Sequence, residues 1–244
     1  RFFFSLLGGT MPTSPLKETP IRVFHGTDRD WSERILQACP SLQVGCRPPR
    51  WARNGHVQAA LSLLLDDRAP KPVWDLEERL TMNDGGTVSL QWAGLDEAPE
   101  KPVLVVLHTL WGSGYSLRRF IDAMRRRLGW VVVACNRRGH ADLPLTSPQI
   151  NTMGSVHDLE EQLEHIGKHR PSSSLYGVGI SAGSGLLVRY LGEKREASRF
   201  VAAVAEGPAY DIPIGLKYVH RGYDAYLTRK MIRFFLERNR KILG

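Results

Sequence analysis

Three cysteines, Cys39, Cys46 and Cys135, are all that 244 residues contain. They form neither an even framework nor a metal-type pair of pairs, which points to a reducing compartment and excludes a thiolate-built zinc fold. Long hydrophobic runs are missing too. The apolar stretch within Arg1–Gly9 is too short to span a bilayer. It reads as the remnant of an anchor or as sequence upstream of Met11, and no intact signal peptide or transmembrane helix is visible. There is no internal repeat, no low-complexity tract and no HExxH pattern. Acidic charge is scarce in one place only: Lys217–Gly244 carries eight Lys/Arg against Asp224 and Glu237, a balance of +6 out of the total +8. The basicity therefore belongs to the C-terminal tail, and a nucleic-acid-binding reading rests on charge alone, without a motif.

What is present is an alternation of strand and helix signals. Residues 11–50 carry six prolines and read as an irregular arm, with one short helix around Trp31–Ala38. Leu76–Met82 and Thr87–Ala93 flank Asn83-Asp84-Gly85-Gly86, a hairpin signal. Val103–Leu107 and Trp130–Cys135 are continuous apolar runs, as expected of strands buried on both faces. Between them Leu117, Phe120, Ile121, Met124 and Leu128 mark a helix. Val156, Leu159, Leu163 and Ile166 mark another, followed by strands at Leu175–Ile180 and Phe200–Ala205. This pattern predicts right-handed βαβ units in a mostly parallel sheet opened by a hairpin. In the tail, Tyr223, Leu227, Met231, Phe234 and Phe235 recur at helical spacing, with Arg229, Lys230, Arg233 and Arg240 largely off that stripe. Two readings stay open for a helix over 223–243: a packed cap helix with a solvated basic face, or a lid meeting acyl chains or an anionic membrane surface.

The chemistry concentrates at Gly179-x-Ser181-x-Gly183, on a strand running through a tight turn into a helix. That context lifts a serine hydroxyl onto a strained elbow as a nucleophile, with the Ala182 amide placed to hold an oxyanion from the first helical turn. Such a serine needs a base and an orienting acid. Only His220 lies beyond Ser181, and Asp211 reads more readily as a turn residue after Gly207-Pro208 than as a triad acid. His157, Glu161 and His165 share a helix face at i, i+4, i+8, but without a further ligand they read as a solvated face; no metal or cofactor is expected.

Several stretches resemble the α/β-hydrolases and, within them, the AB hydrolase 4 family of esterase- and lipase-like proteins. They are Arg47-Pro48-Pro49-x-Trp51 with Gly55-His56-Val57-Gln58, Asp84-Gly85-Gly86, Leu107-His108-x-Leu110 with Gly112-Ser113, Asn136-Arg137-Arg138-Gly139, Asp158-Leu159, and the elbow running into Leu191-Gly192-Glu193. The resemblance implies an α/β-hydrolase fold with helices on both faces of the sheet, its C-terminal strands missing and a partial cap at the end. It divides the chain into an arm (1–50), a partial core (51–212) and a basic cap segment (213–244). It also implies hydrolysis of carboxylic esters, acylglycerol or phospholipid in type, through acyl-Ser181, with the Leu110 amide as second oxyanion donor. Thr109 stands where this family usually has glycine, and a β-branched residue resists positive φ. His108 and His140 are read as loop residues shaping the site, not as bases. The family's acid and histidine would follow in later strands, so these 244 residues are expected to be nearly inactive alone. The alternative is a non-catalytic hydrolase-fold module that binds or regulates.

Overall fold

The computed structural model describes residues 24, 28–42, 49–66, 74–151, 153, 155–208 and 210–244. The anchor remnant expected at 1–9, most of the arm, Cys46 and the first half of the Arg47–Trp51 motif lie outside these residues. The chain separates into two units, Arg1–Arg68 and Ala69–Gly244. The division thus falls after the helix that follows the arm, whereas the sequence reading opens the core at residue 51.

In the first unit, α1 (Arg29–Ala38) starts at Asp28, whose side chain accepts the Trp31 amide hydrogen bond at 2.9 Å. A second helix, α2 (Gly55–Asp66), was not anticipated. Its sequence, GHVQAALSLLLD, has no clear apolar stripe to give it away. It is tied to the short 3-10 turn Arg50–Ala52 by a bond from Gln58 Nε2 to the Ala52 carbonyl at 2.6 Å.

The second unit is built on a six-stranded sheet: β1 (Leu76–Thr81), β2 (Thr87–Ala93), β3 (Val103–Leu107), β4 (Val131–Asn136), β5 (Leu175–Ile180) and β6 (Phe200–Glu206), in the spatial order β1-β2-β4-β3-β5-β6. The first two pairings are antiparallel and the remaining three parallel, the mixed sheet predicted above. Gly85, at φ +82°, closes the hairpin between β1 and β2. Strands β3 and β4 are buried along their whole length, which is why they read as unbroken apolar runs.

Alternate residues of these strands feed two cores. Leu90, Trp92, Val105, Leu107, Val133 and Cys135 pack with α4 (His157–His169) and α5 (Ala182–Lys194) through Leu159, Leu163, Ile166, Leu187 and Tyr190. On the opposite face Leu104, Val106, Val132 and Ala134 meet Ile121 of α3 (Arg118–Leu128), with Phe120 and Met124 partly buried beside them. Each buried Leu, Ile or Val among them contributes about 1.5–3 kcal/mol by leaving water. Strand β6 is an edge; its Val201 and Val204 are 65% and 61% exposed.

After β6 come α6 (Ile212–Lys217), α7 (Arg221–Met231), a π-helical turn over Ile232–Glu237 and α8 (Arg240–Leu243). The single helix expected over 223–243 is therefore interrupted; within the wider turn Phe235 is buried beside the His140 ring, and Asn239 Nδ2 donates to the Phe235 carbonyl at 3.1 Å. Tyr223 and Met231 of the expected stripe remain exposed. Among the described residues no helix is long and apolar enough to cross a membrane.

Candidate active site

Strand β5 ends in an elbow that only two glycines permit. A Cβ on Gly179 would lie 2.5 Å from the Gly183 carbonyl oxygen and 2.6 Å from the Ser184 Cα. One on Gly183 would lie 2.7 Å from the His108 carbonyl oxygen and closer still to that of Leu107. Strand, helix and the exit of β3 thus meet backbone to backbone. Between these glycines Ser181 is held at φ +54°, ψ −115°, a region that costs a residue with a side chain on the order of 1–3 kcal/mol. Its amide donates to the Glu206 carbonyl at 2.9 Å, and its own carbonyl accepts from Ser184 and Gly185. The side chain is exposed at the head of α5. Replacing Ser181 by glycine is expected to raise stability by about 1 kcal/mol, since relief of strain outweighs glycine's greater chain entropy. Urea unfolding of the two proteins reads this directly; an unchanged or lower midpoint would remove the strain from the account.

Ala182 is buried and occupies the first position of α5, where an N–H has no intrahelical partner and the helix dipole favours negative charge. The second half of the arrangement is the loop after β3. Leu107 pairs with Gly179 in register, so this loop leaves the sheet beside the elbow. Its carbonyls are pinned from beneath: Arg137 Nη2 donates to the Thr109 oxygen at 2.5 Å and to the Leu110 oxygen at 3.1 Å. His108 Nδ1 adds a donor to the Thr109 oxygen at 2.8 Å, while its Nε2 accepts the Arg137 amide at 3.2 Å. In a trans peptide the N–H points opposite to the C=O. Pinning the Thr109 carbonyl inward therefore turns the Leu110 N–H outward. Thr109 meets no backbone penalty here. The described non-glycine residues with positive φ are Ala141, Asp142, Ser181 and Arg195.

Arg137, His108 and His140 form this support, and all three are buried. Burial lowers Arg137 to about 10, so it stays cationic at neutral pH. Burial, then the neighbouring Arg137, pushes His140 down to about 4. Burial, Arg137 and His140 hold His108 well below the ordinary imidazole range. Both rings are neutral at pH 7, and both are spent on backbone groups of the loop. In the sequence Arg137 stands only within the Asn136-Arg137-Arg138-Gly139 motif, and two adjacent arginines directly after a buried strand are the signal that marks its role.

Among the described residues no histidine hydrogen-bonds the Ser181 hydroxyl. Asp211 caps α6 by accepting the Ile214 amide at 2.9 Å, and His220 caps α7 by accepting the Gly222 amide at 3.2 Å. The structure gives both residues local work, and neither hydrogen-bonds Ser181.

One further buried hub lies behind the site. The Arg138 guanidinium forks onto Asp158 at 2.8 and 2.6 Å and onto Asp84 at 2.5 and 2.8 Å, with Ser147 Oγ accepting at 2.8 Å. Burial disfavours its charge, but the bonds to Asp158 and Asp84 outweigh that and raise its pKa. Arg138 in turn holds the Asp84 carboxyl below its usual range. Gly86 is required at the hairpin because any Cβ there would enter the space of this guanidinium.

A family model described as serine aminopeptidase, S33 (Hydrolase_4), matches residues 98–240. The chain belongs to the AB hydrolase 4 family of the α/β-hydrolases. Curated proteins similar to this chain include the embryogenesis-associated protein EMB8 of Picea glauca, 33% identical over 90% of this chain and 50% of that protein. Human phospholipase ABHD3 is 29% identical over 70% of this chain and 43% of its own. A Danio rerio monoacylglycerol lipase ABHD2 is 29% identical over 66% and 39%. The chain thus spans half or less of the length of these relatives. Among solved structures, a Pyrococcus furiosus esterase shares 18% identity over 66% of this chain and 70% of that one, at a TM-score of 0.49.

Two further surfaces lie near these elements. The C-terminal helices supply one: in the π-helical turn Phe234 and Phe235 lie 4.9 and 5.8 Å from the His140 ring, and from α7 Lys230 Nζ stands 4.4 Å over Trp111 of the loop after β3. One helical turn beyond Ser181, a groove is lined by Met153, Gly185, Val188, Pro208, Tyr210 and Ile212. The His157–Glu161–His165 trio is broken up. Glu161 accepts the Asn83 amide at 3.0 Å, and His165 turns to Glu78 at 2.8 Å.

Proposed function

We propose that this α/β-hydrolase is a serine esterase of lipid esters that works through acyl-Ser181. The observation that carries the reading is the strained Ser181 elbow, set between two glycines that admit no Cβ and beside a loop whose carbonyls are tied inward. In the reaction the Ser181 oxygen attacks the ester carbonyl carbon and gives its proton to a base. The carbonyl oxygen gains the negative charge and is held by the Ala182 and Leu110 N–H groups. The C–O bond to the alcohol then breaks, the alcohol leaves with a proton, and water later releases the acid from the serine. The names of the phospholipase and monoacylglycerol lipase relatives support a lipid substrate. Exposed Tyr226, Met231, Ile232 and Leu236 alongside Arg229, Lys230 and Arg233 support contact with an anionic membrane surface.

Among the described residues no histidine stands in line with Ser181, and without one both formation and breakdown of the acyl-enzyme are slow, losing several powers of ten. Slow deacylation makes the intermediate observable. Incubation with p-nitrophenyl butyrate followed by intact-mass and peptide analysis is expected to show one butyryl group on Ser181, absent in Ser181→Ala. Rapid turnover that survives Ser181→Ala would sink the reading. Absence of any adduct at Ser181 would favour the non-catalytic module, for which the capping roles of Asp211 and His220 already speak.

A further inference from the structure

We infer that Glu78, His165 and His169 form a binding site for a divalent transition-metal ion of the zinc class, joining β1 to α4. His165 and His169 are four residues apart on the last turns of α4 and so project from one face. Glu78 reaches them from β1, with its Oε1 2.8 Å from His165 Nε2 and 3.5 Å from His169 Nε2. One donor atom from each residue lies within 4.8 Å of the others, and the two rings stand 4.8 Å apart, centre to centre.

Two imidazole nitrogens thus converge on a single carboxylate oxygen. Nitrogen and oxygen donors at about 2.0–2.1 Å from a tetrahedral zinc are separated by roughly 3.3–3.4 Å. The His169–Glu78 spacing already matches, and the His165–Glu78 spacing needs to open by about half an ångström. The remaining carboxylate oxygen, Glu78 Oε2, accepts from buried Trp92 Nε1 at 3.2 Å. That outer bond leaves Oε1 turned toward the rings, the kind of support that metal-binding carboxylates generally have. Two imidazoles and one carboxylate suit zinc, copper or nickel rather than magnesium or calcium, and leave a fourth position to water.

The site is remote from Ser181. β1 and β5 stand four strand spacings apart in the sheet order, on the order of 19 Å. Its effect is to fasten the edge strand to the helix, stabilising the native state by mass action.

Calorimetric titration of the untagged protein with zinc chloride tests this, with magnesium chloride as control. One zinc ion is expected per chain, with no magnesium uptake and a thermal midpoint raised by several degrees. His169→Ala and Glu78→Gln are each expected to weaken binding at least about tenfold and to abolish the midpoint shift. The His169 side chain is 44% exposed, so its alanine variant should keep the metal-free midpoint, and a loss of binding there reports ligation and not unfolding. Absence of zinc uptake, uptake unchanged in His169→Ala, or equal uptake of magnesium would overturn the proposal.

Discussion

Replacing Asp158 by alanine is expected to cost about 3–5 kcal/mol of stability, because it leaves the Arg138 cation buried without the more buried of its two carboxylate partners. The Arg138 side chain is 3% exposed and that of Asp158 4%, so water cannot substitute for the lost carboxylate. At roughly 2–4 °C per kcal/mol for a domain of this size, the thermal midpoint should fall by about 6–20 °C. Against a typical total of about 5–15 kcal/mol, a loss at the upper end leaves little folded protein at 37 °C. The double variant Arg138→Met, Asp158→Leu removes both charges together and should be less destabilised than Asp158→Ala. A single variant that loses less than about 1 kcal/mol would show that the hub is dispensable.

The second large effect is acid sensitivity well above the carboxylate range. His140 falls from 6.5 to about 4 on folding, so between these values the unfolded chain binds a proton that the native chain refuses. Stability therefore rises with pH across this window and is lost as pH drops through it. From His140 alone the loss is about 2 kcal/mol by pH 5 and roughly 3 kcal/mol by pH 4. His108 moves in the same direction and adds to it. The charged group facing both rings is the Arg137 guanidinium, which opposes a second positive charge; the other neighbours of His140 are backbone carbonyls and the Phe234 and Phe235 rings. The depressed Asp84 acts lower, below its ordinary value of 3.8, and leaves the interval from pH 7.5 to 5 to the histidines. Urea midpoints at those two values should differ in the wild type and differ less in His140→Asn. Equal midpoints in the wild type would mean that the rings are accessible to protons in the native state.

Much of the sheet was legible because its signals are local. Val103–Leu107 and Val131–Asn136 are unbroken apolar runs that only a doubly covered strand needs, and Asn83-Asp84-Gly85-Gly86 announces its turn. The elbow could be read for the same reason: strand, two glycines, serine and helix lie within ten residues. What escaped depends on distant chain segments or on weak patterns. α2 lacks an apolar stripe, so periodicity passed over it. The π-helical turn reflects the burial of Phe235 and Asn239, which no spacing rule encodes. Arg138 collects partners 20 and 54 residues away, and sequence showed it only as part of a family signature. On α4, spacing grouped His165 with His157 and Glu161, whereas the acid that meets it, Glu78, lies 87 residues away on β1.

Gly86 and Arg138 occupy one volume, and this bears on how the sequence can drift. While the guanidinium is present, every side chain at position 86 collides with it. Once the guanidinium is gone, the glycine has no steric reason to persist, and Asp84 and Asp158 become carboxylates without a cation. The tight coupling is between Arg138 and Asp158, both buried, whereas Asp84 is half exposed and can be solvated without its cation. Across descendants of this chain, Arg138 and Asp158 should be inherited or lost together, with Gly86 kept for as long as Arg138 is.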